Sequence, residues 1–422
     1  MRAISLALLT PSAALALHLP LLAVALACAA SPIGDDPVDV SSGSEPSPDA
    51  SADDSSPAAP DAAEAPPLLT RVAGAAGAHP VGRRTLELVD TTRTTPANDT
   101  YAGSPERRLV LDVVYPAEAA ESDAPVAAGS FPLVIYAHGF MSDRAENTPL
   151  LEYLASHGVI VLAPTFPLSN REAPGGSTLS DTINQPGDVR FLLDHALAGD
   201  SALAFLKGRV DPQRVGLAGL SLGGLTAALT GFFEGFRDPR VRVIATLAAP
   251  LCLLPADAWP ADAPPALFVY GTADQIAPYE ANARKALESA KAPTLLATVH
   301  GGTHVGFAAV AGPIFADMED PDQIGCAAFK ANVGDQTLAG IAAASGFGGE
   351  ASDAAACPEP CSLSEWPKAM STAAQADLIT LSVGAFLRGH LQGEPDLLDF
   401  VRRGLPAQRA EVTIEAKLVD ER

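Results

Sequence analysis

From residue 70 onwards, short apolar runs alternate with longer segments in which apolar positions recur at helical spacing. From the third run onwards, most of the short runs are continuous stretches of Val, Ile, Leu and Ala. Such runs are typical of parallel strands that are covered on both faces. The pattern predicts eight strands, at residues 84–90, 108–116, 132–139, 158–164, 214–219, 242–250, 266–272 and 294–302.

Helical segments lie between these strands from the third strand onwards. They are NTPLLEYLASHG, GDVRFLLDHALA, LGGLTAALTGFFEG and YEANARKALESAK. Strands that alternate with helices indicate an α/β fold, here an open, mostly parallel, doubly wound sheet of eight strands with helices on both faces. A final amphipathic helix follows in STAAQADLITLSVGAFLRGHLQ, and AEVTIEAKL near the C-terminus is a candidate for an added edge strand.

The 422 residues carry a formal net charge of −23, and the chain contains no run of Lys and Arg. A nucleic-acid partner needs a basic face that neutralises phosphates. The charge pattern therefore excludes nucleic acid as a partner.

The N-terminal 28 residues predict a signal peptide. Arg2 precedes an apolar stretch that is interrupted by two prolines and a histidine, which a stable membrane span would tolerate poorly. Its last part, AVALAC, resembles a bacterial lipobox, in which the cysteine, here Cys28, is lipidated and becomes the new N-terminus. This predicts a membrane-anchored lipoprotein in the periplasm or on the cell surface. A plain secretory cleavage after Ala29 or Ala30, which would give a secreted protein, is the alternative.

Residues 29–69 predict a disordered linker ahead of the folded domain, which we place at residues 70–422. Between residues 31 and 67 the chain has nine acidic residues, no Lys or Arg, and many Pro and Ser residues. Such a segment buries too little apolar surface to offset the entropy lost on ordering. It would serve as an acidic tether or simply as a solubilising spacer.

The cysteines indicate an oxidising compartment. If Cys28 is lipidated, four remain, an even number that suits two disulfides in an exported protein and allows three pairings. They are Cys252, Cys326, Cys357 and Cys361. Free buried thiols are the alternative. No histidine or second cysteine pair lies at ligand spacing from CPEPC, so no metal site is predicted.

A candidate nucleophile lies in GLSLG, where Ser221 follows the fifth strand and precedes a helix. This G-x-S-x-G pattern is in the strand–turn–helix context of a nucleophile elbow, where the turn is too tight for side chains at the glycines. The N-terminus of the following helix also favours developing negative charge. A polar residue in a glycine-rich turn is the alternative.

The seventh and eighth strands end in candidates for the acid and the base. Asp274 follows the seventh strand in YGTADQIAP, and His304 follows the eighth in HGGTHVGF. Together with Ser221 they have the chain order serine, acid, histidine, and they lie at the strand ends where ligands bind in open α/β sheets. His300 is a competing base, but it lies inside the strand run and ranks below His304.

The loop after the third strand, in YAHGFMSD, supplies a candidate oxyanion site. In hydrolases with a nucleophile elbow, this loop and the residue after the nucleophile each supply one backbone N–H. These rules nominate Phe140 and Leu222. His138 precedes the serine in the chain, and we interpret it as a structural histidine that braces the loop.

From about residue 80 to 310, and again in the last helix, the chain resembles an α/β-hydrolase. The similar group contains dienelactone-hydrolase-like proteins, platelet-activating-factor acetylhydrolases, chlorophyllase-like enzymes and cutinase-type polyester hydrolases. The resemblance is carried by FPLVIYAHGFMSDRAENTPLLEYLASHGVIVLAPTFP, DPQRVGLAGLSLGG, GTADQIAP and GGTHVGF. It implies the α/β-hydrolase fold, with Ser221 as nucleophile, His304 as general base and acid, and Asp274 as its orienting partner. Dienelactone hydrolases proper have a cysteine nucleophile, so the serine moves this chain towards esterases and lipases.

The sequence departs from this group at about residues 306–370, an insertion that carries three of the five cysteines. It leaves the site directly after His304. We expect it either to wall or lid the pocket or to be a peripheral decoration held by disulfides.

Together these observations predict an extracytoplasmic serine hydrolase that cleaves carboxylic esters through an acyl-enzyme. The expected substrate is a small-molecule, lipid or polymer ester, and no metal or organic cofactor is implied. An amidase or peptidase with the same triad and a catalytically idle, ligand-binding surface lipoprotein are the alternatives.

Overall fold

The apolar runs form nine strands in the described part of the chain, which comprises residues 72, 77–255, 258–334, 336–337, 340, 342, 357–362 and 366–417 of a computed structural model. The strands are β1 (Val81–Asp90), β2 (Arg107–Pro116), β3 (Phe131–Ala137), β4 (Ile160–Thr165), β5 (Val210–Leu220), β6 (Val241–Leu247), β7 (Ala266–Gly271), β8 (Thr294–Val299) and β9 (Val412–Lys417). The predictions for residues 1–28 and 29–69, with Cys28, lie outside the described residues.

The strands join into one sheet in the order β1-β2-β4-β3-β5-β6-β7-β8-β9. Every pair from β4 through β3 to β8 is parallel, whereas β1, β2 and β9 join their neighbours antiparallel. All eight predicted strands are present, with bounds that differ from the prediction by a few residues. The sheet exceeds the predicted eight strands because the candidate edge strand pairs with β8 as β9.

Nine α-helices are described, at α1 (Thr148–Ser156), α2 (Gln185–Ala198), α3 (Leu222–Phe232), α4 (Lys285–Ser289), α5 (Asp322–Val333), α6 (Thr372–Ile379), α7 (Ala385–Leu391), α8 (Pro395–Asp399) and α9 (Leu405–Gln408). The helices α4, α7 and α9 each continue from a short π-helical segment, at Glu280–Arg284, Thr380–Gly384 and Phe400–Gly404. The predicted final amphipathic helix is thus α6 and α7 with a π-helical segment between them. None of the helices in the described ranges is long and apolar enough to span a bilayer.

Helices cover both faces of the sheet, as predicted. Successive side chains of a strand point to opposite faces, and in β3 Leu133 packs in one apolar cluster while Val134 packs in the other. The first cluster includes side chains of α2 and α3, and the second includes side chains of α1 and α7. The central strands are therefore buried on both sides, which explains their continuous apolar sequence.

The four cysteines beyond the N-terminal segment form two disulfides, Cys252–Cys357 and Cys326–Cys361. Of the three pairings that the sequence allowed, this one ties the insertion both to the loop after β6 and to itself. Structural disulfides are typical of exported proteins, so the pairing indicates an exported chain.

Candidate active site

Ser221 lies in a tight turn between β5 and α3. Its backbone has φ 54° and ψ −117°, a left-handed conformation that is strained for a residue with a side chain and that recurs at functional sites. A Cβ at Gly219 would lie 2.4 Å from the carbonyl of Gly223, and a Cβ at Gly223 would lie 2.0 Å from the carbonyl oxygen of Ala137. The glycines of the motif are required because no side chain fits there. Ser221 is partly exposed, although both of its chain neighbours are buried.

Asp274 and His304 meet at the ends of β7 and β8. His304 Nδ1 lies 2.9 Å from Oδ2 and 3.1 Å from Oδ1 of Asp274. Oδ1 also accepts hydrogen bonds from the backbone N–H groups of Ile276 and Ala277, at 2.8 and 2.7 Å. Because a carboxylate only accepts hydrogen bonds, Asp274 keeps the proton of a neutral His304 on Nδ1. The other ring nitrogen, Nε2, is then unprotonated and can accept a proton.

The electrostatic surroundings of His304 favour its protonated form. Burial alone would disfavour the imidazolium, but the carboxylates around the ring, first of all Asp274, outweigh burial and raise the pKa of His304 above its ordinary value. A histidine whose protonated form is stabilised in this way is suited to accept a proton and to return it.

The loop after β3 passes close to the elbow, since a Cβ at Gly139, the residue before Phe140, would lie 3.4 Å from the Cβ of Ser221. Met141 N–H donates to the carbonyl oxygen of Ser169 at 2.8 Å, and Met141 has a left-handed φ of 62°. Neither the Phe140 N–H nor the Leu222 N–H, at the first residue of α3, donates to another residue in the described ranges. Both nominated oxyanion donors are thus unengaged.

The other two candidate histidines have different surroundings. His138 is buried, its Nε2 accepts from Phe166 N–H at 2.9 Å, and its Nδ1 donates to the Gly139 carbonyl at 2.7 Å. Burial lowers the pKa of His138 to about 4, so it stays neutral and braces the loop. His300 is exposed, its Nε2 lies 3.3 Å from Thr413 Oγ1, and it borders a cavity of about 510 Å³ together with Asp274 without bonding to that carboxylate.

Comparison with known proteins gives three kinds of match. The chlorophyllase family model matches residues 112–232, a range that includes Ser221 but ends before Asp274 and His304. A poly(3-hydroxyoctanoate) depolymerase from Pseudomonas fluorescens is 32% identical over 40% of this chain. Chlorophyllase-1 from Arabidopsis thaliana is 26% identical over 28% of this chain. The chain spans 61% of the length of the depolymerase and 44% of the length of the chlorophyllase.

Among solved structures, a ferulic acid esterase from Streptomyces cinnamoneus superposes over 81% of this chain and 98% of its own, with a TM-score of 0.54 and 23% identity. The order of the strands in the sheet and the likeness to this esterase both indicate the same fold. The chain has the α/β-hydrolase fold. This fold places the nucleophile after β5 and its partners after later strands, where the structure has Ser221, Asp274 and His304.

Two buried carboxylates near these loops were not predicted as site residues. Glu146 accepts from Gly139 N–H at 2.9 Å and from the Tyr136 hydroxyl at 2.7 Å, and burial raises its pKa to about 7. Asp322, at the start of α5, accepts from three backbone N–H groups of the acid and histidine loops. Neither lies in a motif; Glu146 stands in the polar stretch before α1, and Asp322 stands in the insertion.

The candidate oxyanion loop after β3 and the loop that carries His304 also contact each other. Val310 N–H donates to the Glu146 carbonyl at 3.2 Å, and Ala309 N–H donates to Asn147 Oδ1 at 3.0 Å. The segment after His304 therefore packs on the residues that follow the oxyanion loop. The Ser221 hydroxyl makes no hydrogen bond to a described residue, so the structure brings Asp274 and His304 into contact but does not hydrogen-bond the serine to them.

The insertion contacts the loops of this candidate site. The ring of Phe329 on α5 contacts Phe140 edge to face, with centroids 6.0 Å apart. The insertion thus reaches the oxyanion loop as well as the histidine loop, which supports the prediction of a pocket wall over that of a peripheral decoration. Within the described residues, no group of His, Cys, Asp and Glu side chains is arranged to hold a metal ion.

Proposed function

We propose that this chain hydrolyses carboxylic esters with a Ser221–His304–Asp274 triad through an acyl-enzyme. The observation that carries the proposal is the left-handed Ser221 elbow at the end of β5, in the same sheet whose later strand ends hold the paired His304 and Asp274. The names of the matched relatives, a depolymerase and a chlorophyllase, support an ester as the substrate.

In the proposed reaction, His304 Nε2 takes the proton of the Ser221 hydroxyl as its oxygen attacks the ester carbonyl carbon. The resulting oxyanion accepts hydrogen bonds from the free N–H groups of Phe140 and Leu222. The C–O bond to the alcohol then breaks, His304 protonates the departing alkoxide, and the alcohol leaves behind an acyl-Ser221. His304 next deprotonates a water molecule that attacks the acyl carbon; the bond to the Ser221 oxygen breaks, that oxygen takes the proton back from His304, and the acid is released. Asp274 holds Nδ1–H throughout, which fixes the ring orientation and stabilises the imidazolium.

The surroundings of His304 support an apolar ester, whether lipid, polymer or small molecule. Exposed large apolar side chains occur at Val310, Ile314 and Ile324, all in the insertion that follows His304. Sites for apolar ligands are lined mostly by apolar side chains with a few polar groups, so this segment is a candidate to line the site.

The experiment that tests the function is hydrolysis of p-nitrophenyl esters from acetate to palmitate, with p-nitroanilides of the same acids in parallel. Ester turnover that is lost in Ser221→Ala and exceeds anilide turnover supports an esterase. Faster anilide turnover would support an amidase. Failure of a fluorophosphonate probe to label Ser221 in folded protein would instead support an idle, ligand-binding hydrolase fold.

We also propose that the chain is a lipoprotein anchored through Cys28, with residues 29–69 as an acidic tether. The lipobox-like AVALAC supports the anchor, and the disulfides of the folded domain support export. The domain at 70–422 would then act outside the cytoplasm, close to a membrane.

A further inference from the structure

We propose that Asp322, supplied by the insertion, is a positioning residue that sets the spacing of the acid and histidine loops. This inference rests on the proposed function, because it assigns Asp322 to the placement of Asp274 and His304. Asp322 touches no reacting atom in this scheme and acts through the backbone of the two loops.

The contacts of Asp322 connect both loops through one side chain. Its Oδ2 accepts from Gln275 N–H at 3.0 Å and from His304 N–H at 2.9 Å, and its Oδ1 accepts from Val305 N–H at 2.8 Å. Gln275 directly follows Asp274 in the chain, and His304 is the candidate base itself. The carboxylate is fully buried. One rigid group therefore holds the backbone of the acid next to the backbone of the base.

The insertion in turn holds Asp322 in place. Asp322 is the first residue of α5, and one turn later Cys326 is bonded to Cys361. Cys361 N–H donates to the Gln275 carbonyl at 2.6 Å, so the insertion binds both the N–H and the C=O of Gln275. A Cβ at Gly325 would lie 2.5 Å from Val305 Cγ2, which shows how closely α5 approaches the histidine loop.

A carboxylate suits this position better than an amide or an apolar side chain. All three partners are N–H donors, and an amide would place its own NH₂ against one of them. Burial and the nearby Asp274 carboxylate raise the pKa of Asp322 to about 6, so the ionised form is held against a cost in stability. That cost would serve no purpose in a peripheral decoration, whereas placement of the two loops accounts for it.

The charge of Asp322 also acts on His304. Three carboxylates act on the imidazole: Asp274 on the loop after β7, Asp322 on the insertion and Glu146 before α1. A fourth acidic residue, Asp320, lies beside Asp322. Each of the first three carboxylates favours the imidazolium, so removal of the Asp322 charge would lower the pKa of His304. A purely structural residue remote from the ring would not have this effect.

The test compares Asp322→Asn with Asp317→Asn, which removes an equal charge from an exposed position of the same insertion. For a soluble short-chain ester we expect Asp322→Asn to lower kcat by about 100-fold, as a displacement near 1 Å does, with little change in KM. The acid limb of its pH profile should move to lower pH, because His304 then stays neutral further into the acid range. Asp317→Asn should match wild type in kcat and in the acid limb.

A third variant keeps the test decisive if Asp322→Asn does not fold. Asp322→Glu retains the charge but displaces the carboxylate, so we expect a lowered kcat with the acid limb at its wild-type position. A wild-type kcat in either Asp322 variant, or an unmoved acid limb in folded Asp322→Asn, would overturn the positioning role. If the wild-type protein hydrolyses no ester, or Ser221→Ala keeps full activity, it is the proposed function that fails instead.

Discussion

At the scale of single residues, the candidate site combines left-handed backbone at Ser221 and Met141 with a buried hydrogen bond between His304 and Asp274. Ser221 is held at φ 54° by the packing of the glycines around it, and Asp274 is fixed by two backbone N–H groups as well as by His304. Groups held this way lose little entropy when a substrate arrives, which is the basis of preorganised catalysis. The three candidate histidines differ in their partners: of His138, His300 and His304, only His304 hydrogen-bonds to Asp274.

The first prediction concerns the proposed triad of Ser221, His304 and Asp274. Ser221→Ala and His304→Ala should each lower kcat for ester hydrolysis by roughly five to six orders of magnitude, since triad residues act as a unit. Asp274→Asn should cost on the order of 10⁴-fold because it disturbs the histidine tautomer. His300→Ala, which borders the same cavity as Asp274, is the control and should keep most activity. Equal damage from His300→Ala in folded protein would contradict the choice of base.

A second prediction concerns pH. The base must be neutral to accept the serine proton, and burial acts against the imidazolium while Asp274 and its neighbours outweigh it and raise the pKa of His304. As the pH falls through this raised pKa, His304 becomes protonated and kcat/KM falls. The acid limb should therefore lie at a higher pH than the ordinary histidine pKa of about 6.5. Initial rates measured from pH 4 to 9 check this, and a limb at or below that value would contradict it.

How much of the site the sequence predicts depends on whether a residue stands in a motif. Ser221, Asp274 and His304 follow strand ends in chain order, so their positions can be inferred without coordinates. Glu146 and Asp322 are single acidic residues in polar stretches, and their burial arises from contacts distant in the chain. Nothing local distinguishes them from a solvated carboxylate.

At the scale of elements, the strands were the most predictable part of the molecule. Parallel strands buried on both faces are continuous apolar runs, and helical periodicity marks α1 to α4 as well as α6 and α7. The periodicity does not distinguish the π-helical segments before α4 and α7 from the α-helices that continue them. The helix α5 was not predicted either, because its buried positions are few and include Asp322 and Cys326 rather than an apolar stripe.

The third prediction concerns the elbow as an element. Gly223→Ala should destabilise the fold by about 3 kcal/mol or more, as overpacking does, because its Cβ would lie 2.0 Å from the carbonyl oxygen of Ala137. Gly235→Ala is the control, since it is exposed and its Cβ would make ordinary contacts with Phe233, at 3.7 Å or more. It should change stability by less than about 0.5 kcal/mol. Urea unfolding with activity on the same samples distinguishes the two, and equal stabilities would show that the turn can open to admit a side chain.

At the scale of the whole molecule, the insertion contacts the loops of Asp274 and His304 and is joined to the rest of the domain by a disulfide. The Cys252–Cys357 bond closes a loop of 105 residues, and the Cys326–Cys361 bond closes one of 35 residues within the insertion. The sequence allowed three pairings, and the choice among them depends on tertiary positions that no spacing reveals. The two bonds also differ in place, because only Cys361 hydrogen-bonds to Gln275 of the acid loop.

The fourth prediction follows from that difference. Thiol labelling of unreduced, denatured protein should detect no free thiol at these four cysteines. Loss of Cys252–Cys357 through paired serine substitutions should cost roughly 3–5 kcal/mol of stability, as is typical for a long closed loop. Loss of Cys326–Cys361 should cost less stability but more activity, because it frees the segment that holds Asp322 and Gln275. If loss of Cys252–Cys357 lowered kcat more than loss of Cys326–Cys361 in folded samples, the insertion would not act on the loops of Asp274 and His304 through Cys361.

The fifth prediction concerns the proposed anchor. If AVALAC is a lipobox, the mature protein begins at Cys28 with lipid on its thiol and amine, and it partitions with membranes through its acyl chains. The acidic segment at 29–69 would then space the hydrolase from the membrane surface, since its like charges repel and extend it. Intact mass and detergent partitioning of the native protein measure this, with Cys28→Ser as the control that cannot be lipidated. An unmodified N-terminus at Ala29, Ala30 or Ser31 in the wild-type protein would show that the protein is released by a plain secretory cleavage and acts without an anchor.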